Sequence, residues 1–524
     1  MNRRQFFATA AAPLAASLPR LAKARPSKRP NIILIMADDM GFSDLGCYGS
    51  EIATPNLDRL ARGGVRFTEF CNTARCCPSR ASLLTGLYSH QTGIGHMVQD
   101  DHLPGYRGFL NDRCVTIAES LKGSPYHPLM VGKWHVGQDR PHWPLDRGFE
   151  HYFGLIEGAD NYFRPERQMA LENQPWKPDR PGFYMTDAFT DHAVELIDQY
   201  ARKPDPYFLY LAYTAPHWPL HAWPRDIAKY RGRYRKGWDE LRKERHARQI
   251  EHGIVQAKWG ITPRDEQVPA WEKAENKDDF DLRMAVYAAQ IDRLDQDIGR
   301  VLLKVKELGQ EEDTLIMFLA DNGGCAEEGI KGEKPVPAGP AESFTSYGRP
   351  WANASNTPFR LYKHWVHEGG IATPFIAYWP SVIKKTGTLH HDRAHIIDLH
   401  ATVLDVAGVP HPDRYQGHEV LPLEGKSLLP TFENQPRALH DTIFWEHSGN
   451  RAVRQGDHKL VSQFPDRWEL YDLAADRTEM HDLAASQPDR VKNMIGLYEA
   501  WATRCNVVPW EQVKKGAKTS GADE

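Results

Sequence analysis

The segment CCPSR, residues 76–80, combines nucleophiles with a cation at the start of a predicted helix. Its proline is pre-set for a first helical turn, so the pattern predicts a helix over 78–85. Cys76 would lie at the helix N-terminus, where free N–H groups and the dipole favour an anion. Arg80 is near enough in sequence to turn back toward the same anion. Taken alone, these five residues are explained more simply by a buried structural cysteine before a capped helix.

Two apolar runs rich in β-branched residues, 31–37 and 314–320, predict buried strands of a parallel sheet. Each run ends in a pair of oxygen-bearing side chains. The pairs are Asp38 with Asp39, and Asp321 with Asn322. In α/β folds the carboxyl ends of the strands build the site, so we expect these oxygens at one edge of the sheet. Exposed acidic turns explain either pair singly, but not both pairs after buried strands.

Helical patterns alternate with the strands and indicate an α/β layered domain. Residues 223–281 break this rhythm and predict a solvated helical insertion, because acidic residues among its basic ones disfavour a nucleic-acid arm. Residues 333–356 are rich in Pro, Gly and Ser and predict a long functional loop. Short alternating segments and a final helix predict a smaller C-terminal α+β domain over 433–524.

The composition excludes several classes of protein. The chain has 524 residues and a formal charge of −4, with no tract of one sign, which argues against nucleic acid as a partner. Residues 1–24 resemble a cleaved leader, with Arg3 and Arg4 before an apolar stretch too short to span a bilayer. The paired arginines favour a twin-arginine signal over an ordinary secretory leader or a lipid anchor. We therefore expect an exported, periplasmic protein without a membrane-spanning segment.

Seven cysteines form no even, regular framework. In an exported protein of this size, an odd and clustered set suggests that one cysteine has chemistry of its own. Cys71, Cys76 and Cys77 lack a second Cys or His pair at finger-like spacing nearby, so a zinc finger is a weak interpretation.

The segment C-x-P-S-R followed by ASLLTG, residues 76–86, resembles the signature of the type I sulfatases, in which this cysteine is converted to formylglycine. Its spacing selects Cys76 rather than Cys77. Other segments resemble the family's motifs and follow in the same order. Their amino-acid sequence is most similar to that of bacterial arylsulfatases. These segments are GFSDLGCYG (41–49), TPNLDRLARGGVRFTEF (54–70), GKWH (132–135), TAPHWPL (214–220), ADNG (320–323), K-x4-EGG (363–370) and ELYDLAADRTEMHDLA (469–484).

The resemblance implies an alkaline-phosphatase-like sandwich, with a large, mainly parallel mixed sheet flanked by helices in a catalytic domain over 25–432. It also implies one metal ion, held by three carboxylates, an amide oxygen and formylglycine. The implied ligands are Asp38, Asp39, Asp321, Asn322 and Cys76 as formylglycine. This hard-oxygen set suits calcium better than zinc.

The resemblance also implies a mechanism of sulfate ester hydrolysis. One hydroxyl of the hydrated aldehyde at Cys76 would attack sulfur, activated by Asp321, and give a sulfated enzyme. His217, assisted by Lys363, would protonate the departing alcohol or phenol. His135 would take the proton of the second hydroxyl, so that the aldehyde re-forms and sulfate leaves.

The same resemblance implies that three cations polarise the sulfuryl oxygens, and that they bind the substrate together with His217. These cations are Arg80, Lys133 and Lys363. Maturation would need a formylglycine-generating enzyme as a partner. The substrate is either an aryl sulfate or a carbohydrate sulfate, and the sequence does not fix the oligomeric state.

Two alternatives remain open at this point. One is a phosphonate monoester or phosphodiester hydrolase that uses the same modified cysteine. The other is a non-catalytic, calcium-stabilised glycan-binding protein, if Cys76 is left unmodified. Histidines outside the shared motifs are expected to line the pocket, lie on the surface or act structurally; they are His221, His364, His367, His390, His391, His395 and His400.

Overall fold

The computed structural model describes residues 29–179, 181–329 and 336–519, so the predicted leader 1–24 lies outside the described residues. The helices are α1 Pro55–Gly63, α2 Cys76–Thr85, α3 Ile117–Leu121, α4 Met185–Tyr200, α5 Pro224–Ala228, α6 Trp238–Glu251, α7 Lys277–Glu307, α8 Gly348–Ser355, α9 Glu368–Ile371, α10 Asp398–Ala407, α11 Leu429–Phe432, α12 Pro488–Arg504 and α13 Trp510–Thr519. The strands are β1 Asn31–Ala37, β2 Val65–Phe67, β3 Phe70–Cys71, β4 His127–Gly132, β5 His151–Leu155, β6 Met169–Leu171, β7 Gln174–Trp176, β8 Tyr207–Ala212, β9 Thr314–Ala320, β10 Phe375–Tyr378, β11 Thr388–His390, β12 Ala394–His395, β13 Arg414–Tyr415, β14 His418–Glu419, β15 Thr442–His447, β16 Asn450–Gln455, β17 His458–Ser462 and β18 Glu469–Asp472.

A ten-stranded mixed sheet forms the centre of the molecule. Its strand order is β11-β2-β10-β9-β1-β8-β4-β5-β6-β7. The five strands from β9 to β5 are parallel to one another, whereas β10, β6 and β7 pair antiparallel with their neighbours. Every residue of β1 and β9 is buried, as expected for strands covered on both faces. The large, mainly parallel sheet predicted from the sequence is thus confirmed.

Helices cover both faces of this sheet. Alternate side chains of a strand point to opposite faces, so β1 contributes to two separate cores. Ile33 and Ile35 pack on the face covered by α1, α4 and α7. Ile32, Leu34 and Met36 pack on the face covered by α2, α3 and α10. The site residues that follow β1 are therefore attached to a strand fixed from both sides.

The prediction of an irregular loop over 333–356 is wrong for its last third. Residues 348–355 form α8, which has Pro350 in its first turn and buries the side chain of Trp351 completely. Proline is compatible with a first turn, and helices as short as α8 are stabilised by tertiary packing rather than by propensity. The Pro- and Gly-rich composition therefore concealed a short helix.

The predicted helical insertion, residues 223–281, contains α5, α6 and the start of α7, and is irregular between α6 and α7 apart from one 3₁₀ turn. Many of its side chains are exposed, as expected for a solvated insertion, but several are buried. Tyr234 and Trp238 are fully buried, and so is Arg245, whose Nη1 lies 2.6 Å from Oδ1 of Asp44. A mixed-charge segment looks exposed in sequence when its ionic partners come from elsewhere in the chain.

The C-terminal part contains a smaller antiparallel sheet in the order β15-β16-β17-β18, with α12 packed against it. A smaller α+β unit was expected there and is present, while the boundary at residue 433 stays a prediction. In the described parts of the chain, none of the helices has the length and apolar character needed to cross a membrane.

A buried ionic cluster connects the small sheet to the part of the chain that contains the large sheet. Lys459 Nζ lies 3.0 Å from Oε1 of Glu368 and 2.8 Å from Oε1 of Glu479. Arg477 Nε lies 3.1 Å from the other oxygen of Glu368. All four side chains are at most 1% exposed, so each charge depends on its partners rather than on water.

We therefore expect Lys459→Met to lower the free energy of unfolding by about 3 to 5 kcal/mol, because it leaves two buried carboxylates with too little positive charge. Chemical denaturation would measure the change. Lys243→Met is the matched control, since Lys243 is exposed and forms an ion pair with exposed Glu240. Equal stability of the two variants would contradict a role of the cluster in joining the domains.

Candidate active site

The carboxyl ends of four parallel strands converge at one edge of the large sheet. Ala37 of β1 pairs in register with Ala320 of β9, so Asp38 and Asp321 follow side by side. On the other side of β1 lie β8 and β4, which are followed by the segments that carry His217 and Lys133. The expected meeting of these side chains at one edge is what the structure shows.

A glycine allows Lys133 to leave β4 in the required direction. Gly132 has a φ of +113°, and a Cβ placed on it would lie 1.9 Å from the carbonyl oxygen of Ala212. A side chain at residue 132 would therefore push β4 away from β8. The glycine before Lys133 is a condition for the site geometry.

Two buried cations hold the carboxylates of Asp38 and Asp321. Lys133 Nζ donates to Oδ2 of Asp38 over 2.6 Å. Arg80 Nη2 donates to Oδ2 of Asp321 over 2.7 Å and lies 3.5 Å from Oδ2 of Asp38. Arg80 also donates through Nη1 to the carbonyl oxygen of Lys133, 3.1 Å away. None of these four side chains is exposed, so their charges interact without solvent screening.

Asp39 belongs to a second group on the same edge. Its Oδ2 accepts a hydrogen bond of 3.0 Å from Lys363 Nζ and lies 3.3 Å from Nε2 of His217. Its Oδ1 accepts a 2.7 Å bond from the amide of Asn322. Lys363 Nζ and His217 Nε2 are themselves 3.3 Å apart. Asp39 is held with a φ of +62°, in the left-handed region that few side chains adopt.

The carboxyl groups differ in their acidity. Burial raises the pKa of Asp38, although Lys133 and Arg80 oppose this effect. Burial and the neighbouring charge of Asp38 raise the pKa of Asp321 to about 8. For Asp39, burial also disfavours the charge, but the neighbouring imidazole of His217 and the ammonium of Lys363 outweigh it and lower the pKa. A further cation beside Asp38 and Asp321 would favour their ionised forms.

Within the described residues, two buried oxygens of this group have no hydrogen-bond partner, Oδ1 of Asp38 and Oδ1 of Asn322. Buried acceptors are normally paired, and oxygen ligands of this kind suit a hard cation. Ligand atoms of Asp38, Asp39 and His217 lie within 4.8 Å of one another. We regard His217 as the partner of Lys363 rather than as a ligand. The expected oxygen donors therefore fit a metal ion at this edge.

Cys76 begins α2 beside this group, and Cys77 follows it in the first turn. The pKa of the Cys76 thiol lies well below its usual value, first because Cys77 donates a hydrogen bond to it and then because Lys133 and His135 are near. Burial and the adjacent Cys76 raise the pKa of Cys77. Cys77 Sγ lies 3.3 Å from Nε2 of His135, and burial lowers the pKa of that imidazole to about 4.

His135 has a φ of +55° and packs directly on Gly158. A Cβ on Gly158 would lie 2.6 Å from Cε1 of the imidazole. The side chain of His135 therefore requires a glycine at residue 158. The sequence offered no signal for this, because Gly158 lies in an irregular segment outside every recognised motif.

Glu327 and Arg75 are further charged residues that the sequence reasoning missed. Arg75 Nη1 lies 2.6 Å from Oε1 of Glu327, and Trp218 Nε1 donates to Oε2 over 3.2 Å. The positive charge of Lys363, followed by that of Arg75, holds the pKa of Glu327 well below its usual range. Glu327 and Trp218 therefore border the site on the side of His217 and Lys363.

The histidines outside the proposed catalytic residues differ in their contacts. His221 is buried and its ring contacts the main chain of Ser343 and Tyr162. His364 packs edge-to-face on His447, with ring centroids 5.2 Å apart, beside Lys363. His400 is buried, with Nε2 3.0 Å from the hydroxyl of Ser120. Among the described residues, none of the remaining histidines joins a group with metal-binding spacing.

Two family models match the chain. The model described as Sulfatase matches residues 30–409, and the model described as N-sulphoglucosamine sulphohydrolase, C-terminal, matches residues 359–496. The second match begins well before residue 433, within the large sheet's domain.

Relatives and solved structures agree with these matches. An uncharacterised sulfatase of Schizosaccharomyces pombe is 35% identical and aligns with 93% of this chain and 96% of its own length. An arylsulfatase of Klebsiella aerogenes is 34% identical over 78% of this chain and 93% of its own. The crystal structure of Ps i-CgsB in complex with k-i-k-neocarrahexaose has a TM-score of 0.69 and 26% identity, and covers 91% of this chain and 93% of that chain.

Proposed function

The chain belongs to the sulfatase family and is a sulfuric ester hydrolase, and on this premise we propose that it acts through formylglycine derived from Cys76 and one calcium ion. One observation carries the proposal. Cys76 begins a helix whose N-terminus faces three buried carboxylates and three buried cations at the end of the central strands. A helix N-terminus and fixed cations favour an anion, which suits a sulfate group.

Calcium would be held by the oxygens of Asp38, Asp39, Asp321 and Asn322 and, after conversion, of residue 76. When bound there it supplies a Lewis acid that polarises the sulfuryl oxygens. The two unpartnered buried oxygens, on Asp38 and Asn322, support this assignment. Charge balance supports it as well, since the three carboxylates are already matched by Arg80, Lys133 and Lys363. A divalent ion then leaves positive charge to attract the substrate.

Formylglycine, as its hydrate, supplies two hydroxyl groups where cysteine has one thiol. Asp321 would accept the proton of the attacking hydroxyl. The pKa of Asp321, about 8 before the metal binds, indicates a carboxyl group with a high proton affinity. His135 would accept the second proton as sulfate departs. Since burial lowers its pKa to about 4, His135 is neutral at pH 7 and has a free nitrogen for this role.

His217 and Lys363 would serve the departing oxygen. Burial lowers the pKa of His217 to about 4, so the free site holds it neutral. The buried ammonium of Lys363, 3.3 Å from its Nε2, is the adjacent proton source. Negative charge that develops on the departing oxygen attracts the proton toward His217. The pair therefore protonates the alcohol as its bond to sulfur breaks.

The substrate side of the site favours an ester of a polar alcohol. Trp218, Glu327 and Arg75 present an aromatic face and two charges beside His217. Ps i-CgsB, 26% identical, is seen with a neocarrahexaose, whereas other relatives are named arylsulfatases. We propose that carbohydrate sulfates are turned over as well as aryl sulfates. We further propose periplasmic export and maturation by a formylglycine-generating enzyme.

The proposed function predicts that protein from its own host hydrolyses 4-nitrophenyl sulfate faster than bis(4-nitrophenyl) phosphate at equal concentration. Mass spectrometry of the peptide containing Cys76 should show loss of a sulfur and two hydrogens and gain of an oxygen. Faster turnover of the diester would instead support a phosphodiester hydrolase. An intact thiol together with calcium-dependent glycan binding and no turnover would support a non-catalytic glycan-binding protein.

Calcium should raise the thermal unfolding temperature of chelator-treated protein, because at 100-fold excess over its Kd it adds about 2.7 kcal/mol to the stability of the folded state. Asn322→Leu removes one oxygen ligand and should weaken calcium binding, as measured by calorimetry. Asn322→Asp restores an oxygen and should retain binding. The same calcium affinity in Asn322→Leu as in the wild type would show that the ion binds elsewhere.

His217→Gln should lower kcat by roughly 100-fold or more for an alkyl or carbohydrate sulfate, whose leaving oxygen needs a proton. The loss should be much smaller for 4-nitrophenyl sulfate, whose leaving phenolate is stable. Steady-state kinetics on both esters measures this difference. His221→Gln is the control, because His221 is buried nearby but contacts only the main chain in the hydrogen bonds described. Equal losses on both esters in His217→Gln would exclude the acid role.

A further inference from the structure

Two thiols and one imidazole form a compact group beside the oxygen-rich site. Ligand atoms of Cys76, Cys77 and His135 all lie within 4.8 Å of one another. Each of the three residues is at most 4% exposed. The mechanism uses Cys76 after conversion and His135, but it leaves the thiol of Cys77 without a role.

The spacing fits a tetrahedral metal ion with sulfur and nitrogen ligands. Bonds of about 2.3 Å to sulfur and about 2.0 Å to nitrogen place the two ligand atoms about 3.5 Å apart across a tetrahedral angle. The observed separation of Cys77 Sγ from His135 Nε2 is 3.3 Å. Two thiolates and an imidazole are soft and borderline ligands, which select zinc over calcium.

The ring orientation of His135 supports an approach through Nε2, because Nε2 faces Cys77. Gly158 and the main-chain conformation of His135 fix the ring in this direction. The imidazole is therefore oriented before any ion arrives.

We propose that the chain in which Cys76 is still a thiol binds one zinc ion through Cys76 Sγ, Cys77 Sγ and His135 Nε2. Binding displaces the protons of both thiols to solvent, and a water molecule completes the tetrahedron. Conversion of Cys76, which rests on the proposed function, replaces a sulfur ligand by oxygen. The unconverted chain then holds zinc on His135, which turnover requires. The converted chain releases the ion.

The test uses full-length protein made in a host without the converting enzyme, with the Cys76 thiol verified by mass spectrometry. Zinc affinity is measured by competition with a chromophoric chelator, in excess calcium so that the oxygen site is filled. We expect one zinc ion per chain in the wild type. Cys77→Ala and His135→Gln should each weaken binding by roughly 100-fold or more, because one of three protein ligands is lost.

Cys114→Ala is the matched control, since Cys114 is a buried free thiol whose Sγ contacts the carbonyl oxygen of Asn111 instead. Its zinc affinity should equal that of the wild type. Cobalt provides an independent readout, because thiolate-to-cobalt absorption should fall in Cys77→Ala and in the converted chain. Thermal unfolding of each variant verifies that weakened binding does not reflect an unfolded chain.

Three results would overturn the proposal: zinc binding by Cys77→Ala as tight as by the wild type, no zinc bound by the folded unconverted chain, or equal affinity in the converted chain. These outcomes are separate from failure of the proposed function. If protein from its own host kept its thiol and hydrolysed no sulfate ester, the proposed mechanism would fail, while the zinc affinities of the unconverted variants would stand.

Discussion

The structure depends above all on burying three carboxylates and three cations together where the central strands end. Charges removed from water are costly unless each has a partner at short distance, and here the partners come from distant parts of the chain. Asp38 and Asp321 are brought together by the parallel pairing of β1 with β9, and Lys133 by β4. Arg80 reaches them from α2. The register of the sheet is therefore needed to bring each buried charge at the site close to an opposite charge.

The same requirement explains why the site is rigid. Buried strands covered on two faces cannot shift without opening two cores, and the side chains at their ends inherit that rigidity. Two of the turns that follow contain residues in an unfavourable backbone conformation, since Asp39 and His135 adopt positive φ values. Such conformations persist only where the surroundings hold them, as Asn322 and Lys363 hold Asp39. A second buried ionic cluster, around Lys459, fixes the small sheet in a similar way.

The sequence predicted most reliably what depends on local pattern. The strands at 31–37 and 314–320 and the oxygens that follow them were identified from apolar runs that stop abruptly, and the sheet edge was expected from their parallel order. Site residues without a local pattern, such as Lys133 and Lys363, were predicted only from the resemblance to the family. The resemblance did not predict Glu327 or Gly158. Their roles depend on contacts with residues distant in sequence, Arg75 for Glu327 and His135 for Gly158.

The differences between the sequence predictions and the structure also arise from contacts between distant residues. Helix α8 was missed because packing of Trp351, rather than propensity, stabilises it. Within the segment after residue 223, Arg245 was expected to be solvated because its charge was read without its partner, and it is fully buried against Asp44. In both segments composition describes the residues, whereas burial depends on contacts between residues far apart in sequence.

We propose two ligand sets for residue 76. As formylglycine it would join the oxygens that follow β1 and β9, whereas as a thiol its Sγ lies within 4.8 Å of ligand atoms of Cys77 and His135. Sulfur at this position favours the soft set, whereas oxygen favours the hard set. On the two proposals, the chemistry of residue 76 therefore determines whether zinc binds at the soft set beside the oxygen site.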